Sequence, residues 1–314
     1  MEAPPKFEKV VLSGGGIKGL MELGAIHYFY ENGLYDPEKV HTYAGASIGS
    51  VISLLLICGY APMEIFTRMY TSEKFFDLGS GQSIWNIIEH TGLFPISVFS
   101  EKIRELIEEK MGSVPTLGQL KKLTGKTLIA VVTNVTEMRV EYFSPENHPE
   151  LSSLDAVKMS CNLPLIFQKI MYHGSYYVDG GLLDGFPINQ VDDCHTPILG
   201  VVVSGTDCSL KETNFIGYLY RLINLPINMI TKLRYRNLGD NITLIKMECS
   251  NVPILQFSMP SEKKMEMFLQ GFEEAKTVDK SEKLVVAGLS SSDGSSDWDW
   301  DWNPFKSDSE DSSE

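Results

Sequence analysis

The sequence predicts an α/β fold in which layers of helices sandwich a mostly parallel β-sheet. Short apolar runs typical of strands alternate with segments of helical periodicity. Glycine-rich segments lie beside three of the apolar runs, where the chain must turn sharply. With 314 residues and 43% hydrophobic content, the chain can bury a large core. We therefore expect one three-layer α/β/α domain over residues 1–289.

The alternation can be followed along the chain. Strands are predicted near residues 9–13, 41–44, 127–133, 139–143 and 198–203. Helices are predicted near residues 18–32, 48–58, 97–110, 153–161 and 262–276. The most apolar run, Val51–Ala61, is too short to cross a bilayer and is interpreted as a buried helix.

The first glycine-rich segment is Gly14-Gly-Gly-Ile-Lys-Gly19, here called the glycine loop. It separates a predicted strand from a predicted helix, so its backbone N–H groups can converge on one negatively charged group. Its spacing also matches a dinucleotide-binding fingerprint, which requires an acidic residue at the end of the second strand. The second strand instead runs into Gly45-Ala-Ser47, which makes nucleotide binding the weaker alternative.

The second segment, Gly45-Ala-Ser-Ile-Gly49, has the Gly-x-Ser-x-Gly spacing of a sharp strand-to-helix turn. Such a turn exposes the serine hydroxyl, and the following helix directs its positive dipole end toward developing negative charge. Ser47 is therefore the candidate nucleophile.

The third segment, Asp179-Gly180-Gly181, places a carboxylate at the end of the apolar run Tyr176–Val178. The three segments together supply a hydroxyl, a proton acceptor and a cradle of N–H groups. Acyl transfer requires these groups in one site.

The order of the three motifs resembles the signature of the patatin-like phospholipases. The stretch Leu163-Pro-Leu-Ile-Phe167 is similar to the family's Pro-x-x-Phe element, and Thr124–Leu128 resembles the entry to its central strand. The resemblance covers about residues 8–204. One departure is visible at Gly185-Phe186-Pro187, where the family commonly has Asn before the proline.

The resemblance implies a Ser-Asp dyad, with Ser47 as nucleophile and Asp179 as general base. It assigns the remaining motif residues as well. The implied oxyanion hole comprises Gly14, Gly15, Gly16, Lys18 and Gly19, and the other motif glycines are Gly45, Gly49, Gly180 and Gly181.

The implied activity is hydrolysis of phospholipid or lysophospholipid esters through an acyl-serine, without calcium, another metal or a cofactor. A lipid acyltransferase or a triacylglycerol lipase could use the same dyad. A non-catalytic lipid-binding effector is the alternative from another class.

A histidine triad is a competing interpretation, since Ser47, Asp179 and His195 follow the chain order of the α/β-hydrolases. Only two strand-like runs precede Ser47, however, and His195 lies in a polar loop, so we expect it to be exposed. The other histidines show no metal-ligand spacing.

The lack of a targeting signal and the scattered cysteines lead us to expect a cytoplasmic protein that contacts membranes transiently. The N-terminus lacks the pattern of a signal peptide, and no apolar run is long enough for a transmembrane segment. Five scattered cysteines without Cys-x-x-Cys spacing argue against a disulfide framework. The net charge of −14 gives no basis for a nucleic-acid partner.

Residues 290–314 differ from the rest in composition. They carry eight acidic residues and one lysine, which account for half of the net charge of −14. Such a segment cannot bury enough apolar surface to fold alone, so we expect a disordered acidic tail. Its Trp298-Asp-Trp-Asp-Trp302 repeat is alternatively a docking motif for a protein partner.

The apolar segment Phe215–Asn237 contains Pro226 and ends in Lys232-Leu-Arg-Tyr-Arg236. We predict a buried pair of helices broken at Pro226. The alternative is an interfacial segment that acts as a lid, with apolar side chains toward lipid and basic side chains toward phosphate groups.

Overall fold

A mixed β-sheet forms the centre of the protein. The computed structural model describes residues 6–70, 91–205, 215–234, 238–250, 252 and 259–286. Its strands are β1 Lys9–Leu12, β2 Thr42–Ala46, β3 Gly92–Phe94, β4 Thr127–Asn134, β5 Arg139–Phe143, β6 Leu165–Phe167, β7 Ile170–Tyr172, β8 Ser175–Asp179, β9 Ile198–Ser204 and β10 Ile242–Glu248.

Helices lie between these strands. They are α1 Gly19–Glu31, α2 Ile48–Ile57, α3 Pro62–Tyr70, α4 Ser97–Met111, α5 Leu117–Thr124, α6 Ser153–Ser160, α7 Ile188–Val191, α8 Phe215–Arg234 and α9 Ser261–Val286. The α/β fold predicted from the alternation of strands and helices is confirmed.

The described strands of the large sheet run in the order β10-β9-β1-β2-β4-β8-β7, with β5 also paired to β4. The five strands from β10 to β4 are parallel, whereas β5, β8 and β7 are antiparallel to their neighbours. Strands β3 and β6 form a separate parallel pair. The sheet is therefore mostly parallel, with an antiparallel edge.

Strands β2 and β8 pair with the same edge of β4 and meet there end to end. Ala46, the last residue of β2, pairs with Val131, and Asp179, the last residue of β8, pairs with Val132. Strand β5 pairs with residues 130–134 of β4 and therefore lies on the other side of β4 from both. Because β2 is parallel and β8 antiparallel to β4, their carboxyl ends meet.

Alternating side chains of β1 reach two hydrophobic cores on opposite faces of the sheet. Val10 and Leu12 pack into the larger core with α1, α2 and α3, while Val11 packs into a smaller core with Phe186 and Ile188. Strand side chains point alternately to the two faces, so both faces need a covering layer. Helix α2 is buried along its whole length, as expected for the run Val51–Ala61.

Helices α1 and α9 approach each other at two glycines. A Cβ atom on Gly24 would lie 1.9 Å from the Phe268 carbonyl oxygen, and one on Gly271 would lie 2.0 Å from the Met21 carbonyl oxygen. Glycine is required at both positions because the two backbones are in contact.

All five predicted strands and all five predicted helices are present. Their ends shift by at most two residues, except that α9 continues past the predicted end at residue 276 to Val286. The predicted break at Pro226 is wrong, because α8 continues through this residue as one helix. Proline removes one helical hydrogen bond and displaces the carbonyl four residues earlier. Both Pro226 and Leu222 are exposed, so water can bond the displaced carbonyl.

The chain divides into a compact unit of residues 1–278 and a second unit of residues 279–314. Of the second unit, the structure describes the end of α9, up to Val286. The expected acidic tail at residues 290–314 lies outside the described residues.

Substitution of Gly24 by alanine tests the contact between α1 and α9. Alanine stabilises a helix by about 1 kcal/mol relative to glycine. The steric overlap with the Phe268 carbonyl costs more free energy than this gain. We expect Gly24→Ala to lower the free energy of unfolding by about 2 kcal/mol in urea denaturation. The control, Glu266→Ala on the exposed face of α9, should change it by less than about 0.5 kcal/mol. Equal stability of both variants would contradict the close contact.

Candidate active site

Ser47 occupies a strained turn between β2 and α2. Its backbone has φ 51° and ψ −128°, in a region that side-chain-bearing residues rarely adopt. The Ser50 N–H and hydroxyl both donate to the Ser47 carbonyl, and the Ser47 N–H donates to the Ser160 hydroxyl at 3.0 Å. These bonds hold the serine at the N-terminus of α2.

The two glycines of the turn are sterically necessary. A Cβ atom on Gly45 would lie 2.4 Å from the Gly49 carbonyl carbon, and one on Gly49 would lie 2.5 Å from the Ser13 carbonyl oxygen. The glycine spacing read in the sequence is therefore explained by close backbone contact around Ser47.

Asp179 is buried at the end of β8, next to the position at which β2 ends. Its Oδ1 accepts the Gly181 N–H at 2.7 Å, and its own N–H donates to the Asn162 carbonyl at 2.9 Å. A Cβ atom on Gly180 would lie 2.2 Å from the Val131 carbonyl oxygen, so glycine lets this turn pack directly on β4.

The Ser47 and Asp179 side chains interact. Burial raises the pKa of Asp179 to about 6, while hydrogen bonding by Ser47 and by the Gly181 N–H partly offsets this rise. The Asp179 Oδ2 atom lacks a well-aligned hydrogen bond within the described residues. Catalytic hydrogen bonds are often long or poorly aligned until the reacting group is in place.

The glycine loop lies directly against Ser47, since a Cβ atom on Gly14 would be 3.3 Å from the Ser47 Cβ. The Gly14 N–H donates to the Gly185 carbonyl at 2.9 Å. Within the described part of the chain, the N–H groups of Gly15 and Gly16 donate to no other group. Gly15 and Gly16 line the same cavity as Ser47, so their N–H groups are candidate donors to a bound anion.

Lys18 and Gly19, at the end of the glycine loop, make contacts with other parts of the fold. Lys18 is buried, and its Nζ donates to the Gly205 carbonyl at 3.1 Å, which connects the glycine loop to the chain that follows β9. A Cβ atom on Gly19 would lie 3.0 Å from a side-chain atom of Ile48, so Gly19 allows α1 to pack against α2.

The buried carboxyl group of Glu22, which no sequence motif indicated, supports the start of the glycine loop. The Ser13 N–H and hydroxyl both donate to Glu22 Oε1, at 2.9 and 2.7 Å, and the Ser13 hydroxyl accepts the Val203 N–H. Burial raises the pKa of Glu22 to about 8, against the opposing effect of the Ser13 bonds. The carboxyl group is therefore largely protonated at neutral pH.

Three neighbouring residues that the sequence did not reveal, Ser160, Cys161 and Asn162, contact Ser47 or Asp179. The Cys161 thiol interacts with the hydroxyls of Ser47 and Ser50, and burial raises its pKa well above the usual value. The thiol therefore stays protonated. No spacing pattern in the sequence connects these residues to Ser47, which is more than 100 positions away.

Ser47, Asp179 and the glycine loop line one cavity of about 80 Å³, here called the Ser47 cavity. The opposite wall comes from α8, through Ile223, Asn224, Ile227, Asn228 and Thr231. His195 does not line this cavity and is exposed in its loop, as the sequence led us to expect.

No group of three or more histidine, cysteine or acidic side chains is suitably placed to hold a metal in the described ranges. Over the same residues, no helix combines the length and the apolarity that crossing a bilayer requires.

Comparison with known protein families identifies the family of this chain. The model of the patatin-like phospholipases matches residues 10–192, which is more than half of the chain. The chain belongs to the patatin-like phospholipase family. The matched region of this patatin-like protein contains the glycine loop, Ser47 and Asp179.

Two viral proteins are among the relatives of this patatin-like protein. "Probable lipid hydrolase 463L" of Invertebrate iridescent virus 6 is 31% identical over 189 residues, which cover 59% of this chain and 63% of the relative. The match therefore spans slightly less than two thirds of that relative. An uncharacterized protein of Acanthamoeba polyphaga mimivirus is 27% identical over 284 residues, which cover 86% of this chain and 93% of the relative.

A solved structure shares the fold. VipD from Legionella pneumophila superposes with a TM-score of 0.54 at 17% sequence identity, over 88% of this chain and 67% of VipD. At this identity the similarity concerns the fold.

Replacement of Glu22 by glutamine tests the buried carboxyl group. The pKa of Glu22 is raised from 4.5 to about 8, so its contribution to stability is complete below pH 4.5 and is lost as the pH rises through 8. Glutamine keeps the Oε1 acceptor without this titration. We expect the melting temperature of Glu22→Gln, relative to wild type, to increase from about pH 5 to about pH 9. A constant difference across this range would show that Glu22 ionises normally.

Proposed function

We propose that this protein is a calcium-independent serine lipid acyl hydrolase of the phospholipase A or lysophospholipase type. One observation carries the proposal: the Ser47 hydroxyl, the Asp179 carboxyl and the glycine-loop residues Gly15 and Gly16 line one cavity. Family membership and the name of the iridescent-virus relative support a lipid ester as the substrate.

In the first half of the reaction, the Ser47 oxygen attacks the carbonyl carbon of the ester and its proton passes to Asp179. The Gly15 and Gly16 N–H groups hold the oxyanion of the tetrahedral intermediate, supported by the dipole of α2. The intermediate collapses to an acyl-serine, and Asp179 returns the proton to the departing lipid alcohol.

In the second half, water attacks the acyl-serine and gives a proton to Asp179. The second tetrahedral intermediate releases the fatty acid, and the Ser47 oxygen recovers the proton from Asp179. A carboxylate is normally too weak a base for a serine hydroxyl, but burial of Asp179 raises its pKa and strengthens it.

Substitution at Ser47 tests the nucleophile. We expect Ser47→Ala to lose covalent labelling by a fluorophosphonate and to lower lipid ester hydrolysis at least about 10⁴-fold, because no acyl-enzyme can form. Asp179→Asn should lower kcat by a similar factor. Lipid products would be measured by mass spectrometry, with and without a chelator and an added acceptor lipid.

The matched control is Ser53→Ala. Ser53 lies on α2, is fully buried, and its hydroxyl has no hydrogen-bond partner among the described residues. Its loss should leave labelling and hydrolysis within about twofold of wild type. Persistent labelling of Ser47→Ala would refute the nucleophile, activity that requires calcium would refute the metal-free mechanism, and an acylated acceptor as main product would indicate a transferase.

The pH dependence of kcat/KM tests the base. Asp179 acts as a carboxylate, so activity should rise with pH with a midpoint near the pKa of about 6. The measurement uses a soluble ester that does not ionise in this range. His195→Gln should keep the same midpoint, since His195 is exposed and outside the cavity. A midpoint that moves in this variant would point to a histidine base.

A further inference from the structure

Helix α8 closes the Ser47 cavity from above the dyad. The side chains of Ile223, Asn224, Ile227, Asn228 and Thr231 line it, and these positions recur at the spacing of one helical face. Thr231 packs on the loop after Asp179, where a Cβ atom on Gly185 would lie 2.8 Å from the Thr231 Oγ1. Arg234 pairs with the buried Asp184 at 3.7 Å.

The opposite face of α8 is apolar and exposed, and we call it the outward face. It consists of Tyr218, Leu222, Leu225, Met229 and Leu233. At 100° per residue these positions fall within an arc of about 80°. Leu225, Met229 and Leu233 are 62%, 60% and 56% exposed, so this stripe covers no core. A continuous exposed apolar stripe marks an interaction surface.

The charged residues of α8 itself are all basic. Between Thr213 and Gly239 the sequence contains four arginine or lysine residues and no acidic residue, in a chain with a net charge of −14. On the helical projection, Arg221 and Lys232 border the outward face, while Arg234 lies on the inner side with Asp184. Basic residues at the margin of an apolar stripe suit the phosphate groups of an anionic lipid surface.

The small volume of the Ser47 cavity favours a movement of α8. It is about 80 Å³, whereas pockets for drug-sized ligands measure about 300–1,000 Å³. A cavity of this size cannot enclose a long acyl chain. The Gly14 and Asp179 N–H groups are held by backbone bonds to Gly185 and Asn162. The contacts of α8 with the same region include the side chains of Thr231 and Arg234, which makes α8 a wall that can be displaced.

We infer that the outward face of α8 docks on an anionic phospholipid membrane and that docking displaces α8 from the Ser47 cavity. This inference rests on the proposed function, because the substrate of a lipid hydrolase lies in that membrane. Contact with acyl chains stabilises the outward face in the position from which α8 no longer blocks the dyad. A lipid surface is favoured over a protein partner because the apolar stripe and its basic margin match an interfacial helix.

Vesicle binding tests the docking surface. The test variant is Leu225→Ser/Met229→Ser/Leu233→Ser. The control variant, Leu123→Ser/Met138→Ser/Met171→Ser, removes three apolar side chains elsewhere that are more exposed than those of the test variant. Both are made in a Ser47→Ala background, and co-sedimentation is measured with vesicles of phosphatidylcholine and phosphatidylglycerol. We expect the test variant to bind about tenfold more weakly or worse, and the control to bind as the parent does.

The same substitutions with Ser47 intact separate docking from chemistry. The ratio of vesicle hydrolysis to soluble-ester hydrolysis should fall in the test variant and stay constant in the control. An unchanged ratio and unchanged binding would overturn the inference while leaving the proposed function intact. Binding that depends on the outward face in a protein that hydrolyses no ester would support docking and refute the proposed function.

A reversible cross-link tests the displacement of α8. Cysteines at positions 185 and 231 suit a disulfide, since a Cβ atom on Gly185 would contact the Thr231 side chain. We expect oxidised Gly185→Cys/Thr231→Cys to lose at least about tenfold in long-chain lipid hydrolysis and to recover on reduction. The same double variant kept reduced throughout is the control, because it carries both substitutions without the cross-link. Full hydrolysis by the oxidised double variant would show that α8 need not move.

Discussion

The pairing of β4 with two strands that meet end to end is the constraint on which the candidate site depends. Ala46 and Asp179 pair with the consecutive residues Val131 and Val132, so the sheet itself fixes the separation of the serine turn and the carboxylate. A shift of one residue in either register would turn these side chains to the other face of the sheet. Close packing of Gly180 against Val131 prevents such a shift.

The buried carboxyl groups of Asp179 and Glu22 destabilise the folded state when they are ionised. Burial raises the pKa of Asp179 and of Glu22, so keeping either one ionised destabilises the folded state. In the proposed mechanism the raised pKa of Asp179 has a chemical use, since it makes the carboxylate a stronger base. For Glu22 the neutral acid is the stable form, and its oxygen holds Ser13 at the start of the glycine loop. Strain and burial of this kind are typical of functional sites.

The sequence predicted the parts of the site that depend on local geometry. The turn around Ser47 and the turn after Asp179 need glycine for steric reasons, and glycine is visible in a sequence. Contacts between distant segments left no such signal: the bond from Ser47 to Ser160 joins residues 113 positions apart. For α8 the sequence left two environments open, because its apolar composition suits burial as well as a lipid surface. The exposure of Leu225 and its neighbours in the folded chain distinguishes the two interpretations.

Gly185 connects the glycine loop with the helix that covers it. This glycine belongs to the segment Gly185-Phe186-Pro187, where the sequence departs from the patatin-like pattern it otherwise resembles. Its carbonyl accepts the Gly14 N–H, and its missing side chain leaves room for Thr231 of α8. A larger residue here would push α8 outward, since a Cβ atom would already touch Thr231. Movement of α8 breaks the side-chain contact but leaves the Gly14 bond in place. The cavity can therefore open while the N–H groups of the loop keep their positions beside Ser47.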